Sequence, residues 1–328
     1  MNFSFPSAAV LNASPLVLAL YDSDFEKRHV ALAEKLLAEG CAEARILLQL
    51  GFEHETEQPV ARLADAVKDF LRLAPKSRVV VLGNTPRECE VLSAQGLEAR
   101  FCHQNAFLDE RRFRILPLKK RFDAVYMARL APFKRHLLLE KIASPRLLLA
   151  GANWYEHERA YVDEVHRRLA KATFIRTFRG LDASRTLCPA VCGLCLSAVE
   201  GAMFGSAECL LCGLPLVNTP SLGGREQLFP EGYFANVEPD PDAIAAGIAK
   251  WVAAPPDPFA VRSAFLAKGE PHRAVFRALF AELTDGAHLG RIPHKLGLRT
   301  PPGGEWRMRV GQAYLLAQQL AATIGLLK

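Results

Sequence analysis

The chain has 328 residues, half of them hydrophobic and 23% charged, which excludes a largely disordered protein and leaves room for two domains with separate cores. No apolar run reaches the roughly 18 residues needed to cross a bilayer. The start, MNFSFPSAAVLNASPLVLALYDSD, carries no basic residue before its apolar stretch, so no secretory leader is expected and the location reads as cytoplasmic. The net charge of +6 is concentrated: residues 261–328 hold 10 basic and 4 acidic residues, while the earlier residues balance. A basic tail on two neutral domains suggests a local anionic partner and argues against a general nucleic-acid binder.

Along the chain, apolar β-rich runs alternate with amphipathic helical stretches. PLVLALY (15–21), ARILLQL (44–50) and SRVVVLGN (77–84) read as strands, and 25–40 and 59–74 as the helices between them. Thr85-Pro86-Arg87-Glu88 has capping-box spacing with proline at the first helical position, and Gly96 closes that helix. The alternation restarts after Arg121. Strands are expected at 122–130, 146–151, 173–178, around Cys192 and at 214–218, with helices at 136–143, 155–172 and near Ser206, and one from Asp240-Pro241 to about Ala253. Beyond Pro255-Pro256 the chain reads as mostly helical. The pattern predicts an α/β protein of two Rossmann-like domains joined near residue 120, with a helical C-terminal extension.

Two motifs invite chemistry that their context argues against. Asp22-Ser23-Asp24 follows the first strand as the Asp-x-Asp does that presents the nucleophile and acid of haloacid-dehalogenase-like phosphatases, and two carboxylates there could hold Mg²⁺. Here Glu26 replaces the expected Thr or Val and no later acidic pair completes the site, so the segment reads as a polar loop with Asp24 capping the next helix. Cys192-x-x-Cys195 and Cys209-x-x-Cys212 imitate a zinc ribbon. The first pair lies in an apolar strand, where residues three apart point to opposite faces, and the second in one turn of a buried helix, so both read as core. No metal site is expected. Phosphate-binding loops of the P-loop or dinucleotide type and a serine-hydrolase elbow are absent from the sequence.

Three segments of the second half do carry chemistry together. MARLAPFKRH sets Arg129 and Lys134 at a strand-to-helix turn, where two cations can clamp a diphosphate. SAVEGAMFGSAECLLCGLP sets Glu200 and Glu208 around the small-residue loop Ala202, Met203, Phe204 and Gly205, at the positive end of a helix. SLGGRE adds Gly223 and Gly224 in another strand-to-helix connection. All three fall at carboxyl edges of strands, where open α/β sheets bind ligands.

On these residues the second half resembles the donor domain of GT-B-fold retaining glycosyltransferases of family four, the group one transferases. Glu200 and Glu208 match the Glu-x₇-Glu signature, Arg129 and Lys134 the Gly-Arg-Leu…Lys segment with Ala128 in place of glycine, and Gly223, Gly224 and Glu226 the Gly-Gly…Glu segment, one residue short. The resemblance covers about 122–253 and is vague before. It implies a GT-B protein: an acceptor-side domain over 1–120, a nucleotide-sugar donor domain over 121–305, and a C-terminal helix over 306–328 packing back on the first domain. It implies transfer of a sugar from a nucleotide-diphosphate sugar to an acceptor hydroxyl with retention, without metal ion or cofactor. Arg129 and Lys134 would hold the diphosphate, Glu208 the ribose, Glu200 the donor sugar, and Ala202 to Gly205, with Gly223 and Gly224, would frame the donor. A histidine of the first domain near the sugar is implied too; His103 is the candidate, while His136 extends the basic clamp. The alternatives are a GT-B sugar-nucleotide epimerase and, further off, a zinc-ribbon binding protein. The tail cations Arg291, Lys295, Arg299, Arg307 and Arg309 stand against Glu305 alone, which suggests an anionic glycan or lipid-linked acceptor and peripheral contact with the inner membrane face.

Overall fold

Strands β2 (Leu16–Tyr21), β3 (Arg45–Gln49) and β4 (Arg78–Gly83) are apolar along nearly their whole length, so both faces of their sheet must be covered. The computed structural model describes residues 3–41, 43–151, 154–175 and 182–298. In it these strands run parallel in a five-stranded sheet, with β1 (Ala9–Ala13) antiparallel at one edge and β5 (Ala99–Phe101) at the other. Strand alternation divides the side chains between two cores. Leu18, Leu20, Ile46, Leu48, Val79 and Val81 pack with α1 (Asp22–Ala38) and α2 (Glu57–Leu73). Val17, Ala19, Leu47, Val80 and Leu82 face the other way, onto residues from the far end of the described chain: Phe276, Leu279, Leu283, Leu296 and Leu298.

Helix α8 (Pro258–Leu283) makes that cover by crossing between the halves. Its Val261 and Phe265 belong to the core of the second sheet, and Phe276, Leu279 and Leu283 to that of the first. Each large apolar side chain so buried contributes roughly 1.5–3 kcal/mol. Pro271, which has no N–H to donate, lies between the two contacts. The expected donor segment 121–305 is therefore shared, since its residues from Phe276 to Leu298 pack on the first sheet. The helix expected over 306–328 lies outside the described residues.

The second sheet is entirely parallel, in the order β11 (Phe234–Asn236), β10 (Leu216–Asn218), β9 (Ala190–Cys195), β6 (Phe122–Met127), β7 (Leu147–Ala150), β8 (Thr173–Ile175). The chain starts at β6, runs outward to β8, then returns to the other side of β6 with β9. The order reverses between β6 and β9, and the loops leaving their carboxyl ends open a crevice there.

Local signals behave as their chemistry requires. Glu88 N donates to Thr85 Oγ1 at 2.9 Å, opening α3 (Pro86–Ala94), and Asp240 accepts from Asp242 N and Ala243 N at 2.9 Å, opening α7 (Pro241–Ala253). One expectation fails: α1 begins at Asp22, with Asp22 and Asp24 both in its first turn, so Asp24 does not cap it. Residues His136–Ile142, where a helix is expected over 136–143, form a 3₁₀ helix that follows left-handed Arg135. Among the described residues no helix is long and apolar enough to cross a membrane.

Candidate functional site

The site is built on the reversal point. Arg129 and Lys134 leave the end of β6, and the segment Ser197–Glu200 leaves β9. Backbone hydrogen bonds lock the surrounding loops to one another: Ala198 N donates to Phe133 O at 2.9 Å, Leu222 N to Ala198 O at 3.0 Å, and Glu200 N to Leu222 O at 2.9 Å. Two arginines, Arg225 buried and Arg135 half-buried, fix them further. Arg225 donates to Ser197 O at 2.9 Å and also to Thr219 O, while Arg135, at φ 54°, donates to Ser197 O at 3.1 Å and Thr219 Oγ1 at 2.8 Å.

On this frame Lys134 Nζ donates to Glu200 Oε2, with only 9% and 15% of the two side chains exposed. Burial pulls the Lys134 ammonium below its ordinary pKa, and Glu200 opposes that pull. Arg129 donates to buried Glu158, and its guanidinium lies 5.2 Å from the Phe133 ring centre and 4.8 Å from that of Tyr155. Tyr155 N donates to the second oxygen of Glu158 at 2.8 Å, so the carboxylate is itself aimed. Two cations are thus fixed, each against a carboxylate, in the loop that leaves the carboxyl end of β6.

The segment Ala202–Gly205 leads into α6 (Phe204–Leu211) and is mostly buried. Gly205 is required there, because a Cβ would lie 2.7 Å from Met127 O. The Met203 carbonyl accepts from Ser206 Oγ at 2.7 Å and from Asn105 Nδ2 of the first half at 3.1 Å. Glu208, one turn into α6, is 9% exposed; burial pushes its carboxyl up to about 7. Lys295 Nζ lies 3.9 Å from Glu208 Oε1 and 3.9 Å from the Phe204 ring centre. Arg291 pairs with Asp109. The two described tail cations therefore already face carboxylates, and Arg299, Arg307 and Arg309 lie outside the described residues.

His103 is placed differently from the expectation. It is fully buried between the halves. Asn105 N donates to its Nδ1 at 3.1 Å, so its Nε2 carries the proton and donates to Gly224 O at 2.8 Å. Burial holds its pKa down at about 3. The ring joins two domains and offers no free nitrogen to a sugar. His136 is also a core residue, with its pKa held down at about 3 by burial, and its ring centre lies 4.8 Å from that of Tyr126, so it does not extend the clamp.

Gly223 and Gly224 sit where the halves meet. Gly223 has φ +97°, which favours glycine, and a Cβ on Gly224 would lie 2.6 Å from Asn84 Cβ. Gly201 faces Phe52 O of the first half just as closely, at 2.6 Å. The cysteine pairs are core: Cys192 Sγ donates to Asp123 O at 3.4 Å, Cys209 Sγ packs on Gly193, and Cys212 Sγ turns to Ser184 Oγ at 3.8 Å. A cavity of about 260 Å³ beside Ile142, Leu147, Ile248 and Val252 lies at the opposite edge of the sheet, away from these loops.

Sequence reasoning gave no role to Glu158, Tyr155, Phe133 or Arg225, although the last two lie inside the MARLAPFKRH and SLGGRE segments, and it placed Lys295 in the basic tail rather than beside Glu208. Each meets its partner only through the fold. The run of Phe and Lys before His136 was the one local hint, because an aromatic residue beside a buried cation is a common pairing.

Two α/β domains, each with a mainly parallel sheet, and loops facing one another from their carboxyl edges, define the GT-B fold. No family model and no curated protein matches the chain by sequence. Solved structures do resemble it. Anabaena HepE in complex with UDP and glucose matches with a TM-score of 0.59 at 17% identity, over 82% of this chain and 78% of that one. Sucrose-phosphate synthase from Thermosynechococcus elongatus matches at 0.55 and 15%, over 81% and 80%. The UDP-forming α,α-trehalose-phosphate synthase of Burkholderia vietnamiensis matches at 0.56 and 12%, over 81% and 76%. At these identities the likeness is one of fold.

Proposed function

We propose that the protein is a glycosyltransferase that moves a sugar from a nucleotide-diphosphate sugar to an acceptor hydroxyl, with retention of configuration and without a metal ion at the diphosphate. The observation that carries this reading is the convergence of Arg129, Lys134 and Glu200 at the reversal point of a GT-B donor-side sheet. HepE, a structural neighbour, has been solved with UDP-glucose, which supports a nucleotide-sugar donor here.

In the mechanism, Arg129 and Lys134 take the donor's phosphates, and Lys134 exchanges Glu200 for them. Glu200 then accepts from a sugar hydroxyl. Glu208 receives the ribose in place of Lys295, and backbone groups of Ala202 to Gly205, with Gly223 and Gly224, frame the donor. As the bond from the anomeric carbon to the phosphate oxygen breaks, negative charge grows on the leaving diphosphate, where the two cations stabilise it in a water-poor site. The acceptor oxygen bonds to the same face of that carbon, and its proton passes to the departing phosphate oxygen. The acceptor, a glycan or lipid-linked hydroxyl, lies on the side of the first domain. Contact with an anionic acceptor or membrane face rests on residues 299–309.

Calorimetric titration with UDP, UDP-glucose and other nucleotide sugars tests this reading. At least one should bind, and Lys134→Met should weaken it. Binding of none, or equal binding by the variant, would sink the proposal.

A further inference from the structure

Asp22, Glu26 and His54 form a polar cluster that glycosyl transfer does not use. One ligand atom from each lies within 4.8 Å of the others. Asp22 and Glu26 share the first turns of α1, and His54 comes from the loop after β3, at the carboxyl edge of the first sheet. The His54 side chain is 3% exposed. Its Nδ1 lies 3.2 Å from Phe52 O, to which it donates as the Nδ1–H tautomer. Its Nε2 has no hydrogen-bond partner: it faces Asp22 Oδ2 at 3.3 Å without hydrogen-bonding geometry.

That is how a metal-binding histidine is arranged, with one ring nitrogen anchored to a carbonyl and the other pointing at carboxylate oxygens. The outer contacts are also in place. Gly51 N donates to Asp22 Oδ1 at 2.9 Å, leaving Oδ2 for the cluster, and His54 N donates to Glu88 Oε1 at 3.1 Å, holding the loop. The charged neighbours are Asp24 and Lys27 on the same helix and Arg62 of α2, whose Nε stands 3.9 Å from Glu26 Oε2. Asp22, Asp24 and Glu26 stand against Lys27 and an exposed Arg62, which leaves room for added positive charge.

From this geometry we infer that Asp22, Glu26 and His54 bind a divalent transition-metal cation through one imidazole nitrogen and two carboxylates. Such a mixed nitrogen and oxygen set suits Zn²⁺, Mn²⁺ or Co²⁺ better than Mg²⁺ or Ca²⁺, which prefer oxygen alone. Three protein ligands leave coordination positions for water or a hydroxyl. The ion would also brace the loop 51–55, whose Phe52 carbonyl abuts Gly201 of the other half.

The test uses the full chain, stripped with EDTA, desalted, and titrated separately with ZnCl₂, CoCl₂ and MgCl₂ in the absence of any nucleotide sugar. One equivalent of Zn²⁺ should be retained through gel filtration, with a raised melting temperature and little response to Mg²⁺. Glu26→Gln, at a half-exposed position that should tolerate the change, and His54→Gln should each weaken binding by roughly tenfold or more. Cys192→Ser should not change it, and the Co²⁺ spectrum should lack a thiolate charge-transfer band. No retained metal would mean that His54 is simply paired with Asp22, and would overturn the inference. So would retention unaffected by both variants, or a thiolate band. Because no donor is present, failure here is separable from failure of the transferase reading.

Discussion

Lys134 and Glu200 form an ion pair that is almost closed to water, at the point where the strand order of the second sheet reverses. A buried pair of this kind is weak evidence for stability, since desolvation offsets much of its attraction, and removing one partner leaves the other uncompensated. In the proposed function an incoming diphosphate replaces the carboxylate at Lys134 Nζ, and Glu200 finds its new partner in a sugar hydroxyl. Lys134→Met should weaken donor binding by tenfold or more, about 1.4 kcal/mol or above, and Glu200→Gln should mainly lower turnover. Glu208→Ala should weaken donor binding. Calorimetry of the three variants, with unchanged affinity in Lys134→Met and Glu208→Ala, would count against these roles.

Donor binding should persist in excess EDTA if, as proposed, Arg129 and Lys134 supply the charge that Mg²⁺ supplies elsewhere. Loss of UDP-sugar affinity on chelation, restored by Mg²⁺, would place a metal at the diphosphate.

His103→Phe should lower stability by about 1–3 kcal/mol, because Gly224 O would lose its buried donor. With a pKa of about 3 in the folded state against an ordinary 6.5, His103 leaves the unfolded chain holding more protons below pH 6.5. This group's contribution to stability is thus fully present above pH 6.5 and lost as pH falls toward 3. Denaturant titrations at several pH values should show a shallower acid loss in the variant; an identical profile would deny the buried neutral ring.

Glu208 has the opposite sign. Its folded carboxyl titrates near 7 against an ordinary 4.5, so between those values the folded state holds a proton that the unfolded chain releases. Its cost is absent below pH 4.5 and complete above 7. Wild-type stability relative to Glu208→Gln should therefore fall across that window, by on the order of 3 kcal/mol. Equal slopes in urea denaturation would contradict the burial assigned to Glu208.

The alternation of strands and helices in both halves was legible because it is local: apolar runs of five or six residues, amphipathic stretches, and caps at Thr85 and Asp240 that bond within three residues. Arg129, Lys134 and Glu200 were legible as residue types at strand ends. What stayed hidden depends on contacts between distant segments. The apolar spacing of α8 shows a face to bury but not that its two ends serve different sheets. His103 reads from the sequence as a histidine near the donor sugar, because nothing local shows that its ring donates to Gly224 O of the other half. Asp22 reads from the sequence as part of an incomplete motif, and nothing local shows that His54, 3.3 Å away, arrives beside it from the next strand-to-helix loop.

The most direct measurement is product analysis by NMR after incubating the protein with the nucleotide sugar that binds best and a panel of acceptor hydroxyls. A glycoside with the anomeric configuration of the donor should form in EDTA and be nearly absent with Lys134→Met. Release of an epimerised sugar without an acceptor, or a product of inverted configuration, would contradict the proposed function.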